Sequence, residues 1–103
     1  MQNESSSTGF WKTYGWENIV LNARKILVAA RKRNIPVIFV RVAGREDCID
    51  TYEYCPTDEK GNSVYSIRGT KEVEIVEELR PNTEDIIIEK QRFSAFYQTN
   101  MDL

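Results

Sequence analysis

Residues 86–90 read Ile-Ile-Ile-Glu-Lys: a β-branched apolar run that ends on a charge. The stretch 86–89 reads as a buried strand, with Lys90 at its C-terminal end. In open α/β sheets that end is where ligands bind. An ammonium there offers a point charge with three N–H donors. Taken alone, a strand-end lysine is a solvated charge, so its surroundings decide. Arg41 lies near the end of a second run, VIFVRV at 37–42, on the same ligand side. It suits either a polar substrate group or an ion pair with a nearby acid. Phe93 and Phe96 closely follow Lys90; aromatics so placed either wall a pocket or fill a core, and Phe96 leans toward core. The chain contains no histidine, which removes the commonest metal ligand and the usual general base. Cys48 and Cys55 lie in a polar, loop-like stretch and read as plain loop thiols, with a mutual disulfide as the alternative.

The elements that must position these groups follow from periodicity. Residues 1–15 are polar and turn-rich apart from Phe10, Trp11 and Tyr14, and read as a loop. Over 16–33, Ile19, Ala23, Ile26, Leu27 and Ala30 recur at helical spacing and predict an amphipathic helix. Arg31, Lys32 and Arg33 occupy its last turn, where the helix dipole favours cations. That placement reads as a helix-end cluster rather than a nucleic-acid patch. Asn34 and Pro36 stop the helix. The run 37–42 does not alternate, as expected of a strand covered on both faces in a parallel sheet. Residues 43–68 form a long polar connection of the kind that serves as a functional loop or lid. Thr70 is placed to cap a second helix over 71–79, with Val73, Val76 and Leu79 as its stripe. The segment after Lys90 reads as leading into the opening turn of a helix at Leu103.

Helix, strand, loop, helix, strand is the order of right-handed crossovers in a parallel α/β sheet. Only two strands are visible, and strands apolar on both faces need neighbours. The chain therefore reads as the middle of a domain. Its 103 residues are the size of one small domain, 41% hydrophobic and 29% charged, with net charge −2. That composition is globular and argues against a nucleic-acid binder. No apolar run approaches the ~20 residues that span a bilayer. A cytoplasmic, non-membrane protein is expected.

An ordered set of residues makes the reading more specific. "GTKEVEIVEELRP" at 69–81, Asp85, and "IIIEKQRFSAFYQTNMDL" at 86–103 resemble the isochorismatase-like cysteine hydrolases. Gly69, Thr70, Leu79, Pro81, Asp85, Lys90, Phe93, Ser94, Ala95, Phe96, Thr99 and Leu103 fit the family pattern in order and spacing. "MQNE" at 1–4 is similar to the family's Asp-Met-Gln-Asn element without its aspartate, and "ARKRNIPVIFVRV" to its first crossover.

The resemblance implies a Rossmann-like three-layer α/β/α fold with a parallel sheet, present here only in part, as one partial domain over 1–103. It implies a triad of Asp, Lys and Cys in which Lys90 is the one position present. The aspartate would stand one residue before Met1, and the cysteine beyond Leu103. Cys48 and Cys55 precede the lysine and do not match the nucleophile. Gln2 and Asn3 would line the site beside the aspartate, or be a polar terminus. The implied reaction is C–N hydrolysis of an amide or ureido small molecule without a cofactor. The family's metal-using branch relies on histidines, so no metal is expected. The full-length protein would be a homo-oligomer. Alternatives are a vinyl ether hydrolase of the isochorismate type and a non-catalytic α/β interaction module.

Overall fold

The computed structural model describes residues 1–9, 11–50, 56–64 and 66–102. Its one long helix, α1, spans Trp16–Lys32. Gly15 precedes it in the left-handed region, φ 69°. Arg31 and Lys32 fill its last turn. The face that packs is Trp16, Val20, Ala23 and Leu27, which meets Val76, Leu79, Phe39 and Ile75. This differs from the predicted stripe: Ile26 is among the most exposed apolar side chains and Ile19 is also exposed. α1 carries apolar residues on several sides, so periodicity alone allowed more than one stripe. The element it meets selects the one through Val20.

The two strands are β1, Ile38–Val42, and β2, Ile86–Lys90. They pair in parallel, Ile38 opposite Ile86 through Val42 opposite Lys90. The parallel pair with a crossover is the predicted α/β arrangement. Coverage is incomplete: Ile38, Ile86 and Ile87 are 43%, 50% and 45% exposed.

The predicted second helix does not form. Two short 3-10 turns, Lys71–Val73 and Glu77–Leu79, flank extended residues 74–76. The cause is competition for backbone groups. Asn3 N–H donates to Glu74 O, and Val76 N–H donates to Met1 O. Gln2 bridges Ile75 in antiparallel fashion. These bonds take groups an α-helix would use internally. Thr70 does not cap; its hydroxyl donates back to Ile67 O at 2.7 Å. Gly69 (φ 86°) sets the turn before it. Val73, Val76 and Leu79 are nonetheless all buried. The segment after β2 runs in turns: the Thr99 hydroxyl bonds Ala95 O, and Met101 N–H donates to Thr99 Oγ1. Leu103, where a helix was predicted to open, lies outside the described residues.

Candidate active site

β2 carries Lys90 to the C-terminal edge of the sheet, opposite Val42. Its Nζ donates to Phe93 O at 2.6 Å, so the ammonium is steered by the turn that follows the strand. Side chains alternate along a strand. Glu89 therefore lies on the face opposite Lys90, together with its register partner Arg41.

Arg41 takes the ion-pair option. Its Nε and Nη2 both donate to Glu89 Oε2, at 3.1 and 2.8 Å. Arg68, from the end of the long connection, donates through Nε to Glu89 Oε1 at 2.9 Å and stands 3.7 Å from Asp50. Glu89 thus ties both strand ends to the returning loop. Burial pushes its carboxyl up, but the hydrogen bonds from Arg68 and Arg41 outweigh this and hold it below the usual glutamate range. The loop is zipped at its neck as well. Gly44 N–H donates to Ser66 O and Arg68 N–H to Gly44 O, both at 2.8 Å. An open groove of about 470 Å³ lies beside this neck, lined by Gly44, Arg45, Asp47, Asn62, Ile67 and Arg68. Both of its arginines are ion-paired.

The N-terminal residues are brought to the same edge. Gln2 is buried at 7% exposure. Val42 N–H donates to Gln2 Oε1 at 2.7 Å, and Gln2 Nε2 donates to Val42 O at 2.7 Å and Val73 O at 2.8 Å. Asn3 Nδ2 donates to Lys71 O at 2.7 Å. These two amides, candidates for the substrate pocket, bond main-chain carbonyls. Glu4 is also buried, and the Ser66 hydroxyl lies 3.1 and 2.9 Å from its two oxygens. Burial raises the Glu4 carboxyl above its ordinary value, and the bonds from Ser66 only partly oppose this. On the other side of β1, Ala43 N–H donates to Lys90 O, and Gln91 Nε2 donates to Ala43 O at 3.0 Å.

Phe93 and Phe96 are 88% and 60% exposed, so the core option for Phe96 fails. They follow Lys90 in turns that no described element covers. Cys48 is disulfide-bonded, not the plain thiol expected; Cys55 lies outside the described residues. Sequence reasoning missed Glu89, Arg68, Glu4 and Gln91. A Glu89–Arg41 pair follows once the register is known. Nothing in the sequence announces Arg68.

Comparison with known proteins places this geometry in a family. The model of the isochorismatase domain matches residues 1–103. The chain is 30% identical to the ureidoacrylate amidohydrolase RutB of Rhizobium rhizogenes, over 99% of the chain and 49% of that protein. It thus spans about half the length of the curated relative. Among solved structures, a cysteine hydrolase from Pseudomonas syringae pv. phaseolicola superposes with a TM-score of 0.85 at 30% identity, covering 99% of this chain and 48% of that one. The N-carbamoylsarcosine amidase of Thermoplasma acidophilum gives 0.78 at 28%, with 99% and 54% covered. The strand pair, the lysine at its end and the N-terminal segment bonded beside it make up part of an isochorismatase-like α/β fold, and the chain belongs to the isochorismatase family.

Proposed function

We propose that these residues form part of a cysteine hydrolase that cleaves a C–N bond of an amide or ureido small molecule, with Lys90 as the cation of an Asp-Lys-Cys triad. The observation that carries this reading is the placement of Lys90 at the C-terminal end of β2, level with Val42, to which the N-terminal segment is also bonded. An aspartate next to that segment would reach the same edge as Lys90. The similarity to a ureidoacrylate amidohydrolase and an N-carbamoylsarcosine amidase favours ureido substrates.

In the proposed reaction the aspartate takes the thiol proton, and a nearby ammonium favours the thiolate. The sulfur attacks the carbonyl carbon. The C–N bond breaks, the nitrogen leaves with the proton, and an acyl-enzyme remains. Water then adds to that carbon and gives a proton to the aspartate; the C–S bond breaks, the sulfur recovers that proton as the thiol, and the acid product leaves. Lys90 supports the negative charge as it passes between the aspartate and the thiolate. The full-length protein is proposed to be cytoplasmic and to assemble as a homo-oligomer.

The test is hydrolysis of ureidoacrylate and N-carbamoyl amino acids by the full-length polypeptide and its Lys90→Ala variant. The expected outcome is turnover in the parent and a loss of several orders of magnitude in kcat/KM in the variant. Parent turnover that survives Lys90→Ala, or no turnover of any amide by the parent, would sink the reading.

A further inference from the structure

Val42 is held from both sides. The residue after it turns both backbone groups toward β2 and the residue that follows: Ala43 N–H donates to Lys90 O, and Ala43 O accepts from Gln91 Nε2. The N–H and C=O of Val42 itself face the opposite edge of β1, along which no other strand runs among the described residues. An unpaired edge leaves donors and acceptors that must find partners if buried. At Val42 both partners come from one side-chain amide, that of Gln2. The second N–H of that amide goes to Val73 O. A primary amide has two N–H donors, so Gln2 has both committed to backbone carbonyls. Being buried as well, it is poorly suited to donate to a substrate.

We infer that Gln2 is a positioning residue: its side-chain amide replaces one peptide unit of a neighbouring strand on the open edge of β1 and holds the N-terminal segment in line with Lys90 across Val42. The line runs from the Gln2 amide through the Val42 peptide to the backbone of Lys90, roughly two strand spacings or ~10 Å. The residue type follows from the contacts. Asn is one methylene shorter. Glu keeps an acceptor for Val42 N–H but loses both donors and sets a charge against two carbonyls. Met keeps the length and has no strong donor or acceptor. The catalytic consequence rests on the proposed hydrolase reading; the strand-surrogate geometry does not.

The experiment uses the full-length polypeptide with Gln2→Met and Gln2→Glu, and Leu79→Ala as a core-destabilised control. Two readouts are needed. The first is hydrogen exchange at the Val42 amide, expected to be faster in Gln2→Met and nearer wild type in Gln2→Glu, which keeps the acceptor. The second is kinetics on ureidoacrylate. Here kcat should fall by on the order of tenfold to a hundredfold in Gln2→Met, with KM within about twofold, because a small misplacement of a reacting group acts on the chemical step. The thiol-ionisation limb of the pH profile should move to higher pH. Leu79→Ala should lower Tm while leaving the kcat and pH profile of the folded enzyme in place. Unchanged Val42 exchange in folded Gln2→Met overturns the inference. Faster exchange with kcat and pH profile intact reduces Gln2 to a structural role and overturns it equally. If wild-type turnover survives Lys90→Ala, the hydrolase reading falls, and Val42 exchange still decides whether Gln2 replaces a strand.

Discussion

Glu4, which is buried, and Glu89, which is partly buried, are carboxylates whose contributions to stability have opposite pH dependence. Burial raises Glu4, so the folded protein binds its proton more tightly than the unfolded chain does. The stability it contributes is fully present below the unfolded carboxyl range and is lost as pH rises through the folded pKa. At neutral pH the buried charge is a burden. Glu4→Gln keeps an oxygen to accept from Ser66, so it should leave stability at pH 7 equal or higher and flatten its fall above the carboxyl range. Arg68 and Arg41 hold Glu89 down against its burial. Its contribution is present above the unfolded range and lost as pH falls through the folded pKa. Glu89→Gln should therefore destabilise the full-length protein at pH 7 by about 1–2 kcal/mol, the scale of charge-assisted bonds partly screened by solvent. That difference should shrink toward zero in acid. Denaturant titrations of both variants across pH 3–8 check the pair; curves of the same sign would contradict the assigned environments.

Residues 71–79 show at the element scale how a nearby strand-like segment overrides a helical pattern. Val73, Val76 and Leu79 bury their side chains as an amphipathic helix would, yet Met1, Gln2 and Asn3 take the backbone groups of 74–76. Leu79 belongs to the cluster with Val20 and Val76. Leu79→Ala should lower the stability of the full-length protein by about 2–4 kcal/mol, as for other buried leucines, measured by urea denaturation. A loss below about 0.5 kcal/mol would mean that α1 does not depend on this contact. The N-terminal loop has its own constraint. A Cβ at Gly9 would overlap the carbonyl oxygens of Asn3 and Glu4. Gly9→Ala must displace the segment that holds Gln2, and faster hydrogen exchange at Val42 and Val76 is the expected readout.

Apolar surface dominates at the scale of the whole molecule. Leu21, Ile26 and Val28 of α1 and Ile38, Ile86 and Ile87 of the sheet are all exposed. A two-stranded sheet with open faces and edges is marginal and prone to associate. Residues 1–103 expressed alone should therefore self-associate and unfold without a sharp thermal transition. A monomer with a cooperative transition in calorimetry would show that the pair is self-sufficient. Under the proposed Asp-Lys-Cys triad, of which residues 1–103 would hold Lys90 alone, the same chain should show no amide hydrolysis, since triad losses in comparable enzymes reach about a million-fold. Turnover abolished by Lys90→Ala in this segment would contradict that expectation.

The elements that depend on local pattern were legible from sequence. α1 and both strands appear within a residue or so of their predicted bounds, because a 3.6-residue period and uninterrupted β-branched runs act over short range. Lys90 at a strand end was legible for the same reason, and the parallel pairing followed from the crossover. The structure alone decided everything that depends on long-range backbone competition or on register. It showed which face of α1 packs, because several faces are apolar. It turned 71–79 from helix to turns, because the N-terminal segment bonds there. It assigned Arg41 to Glu89 and placed Arg68 beside them, because residues separated by twenty or more positions meet only when the strands are aligned. It bound the Gln2 amide to Val42, a contact across forty residues that no local pattern encodes.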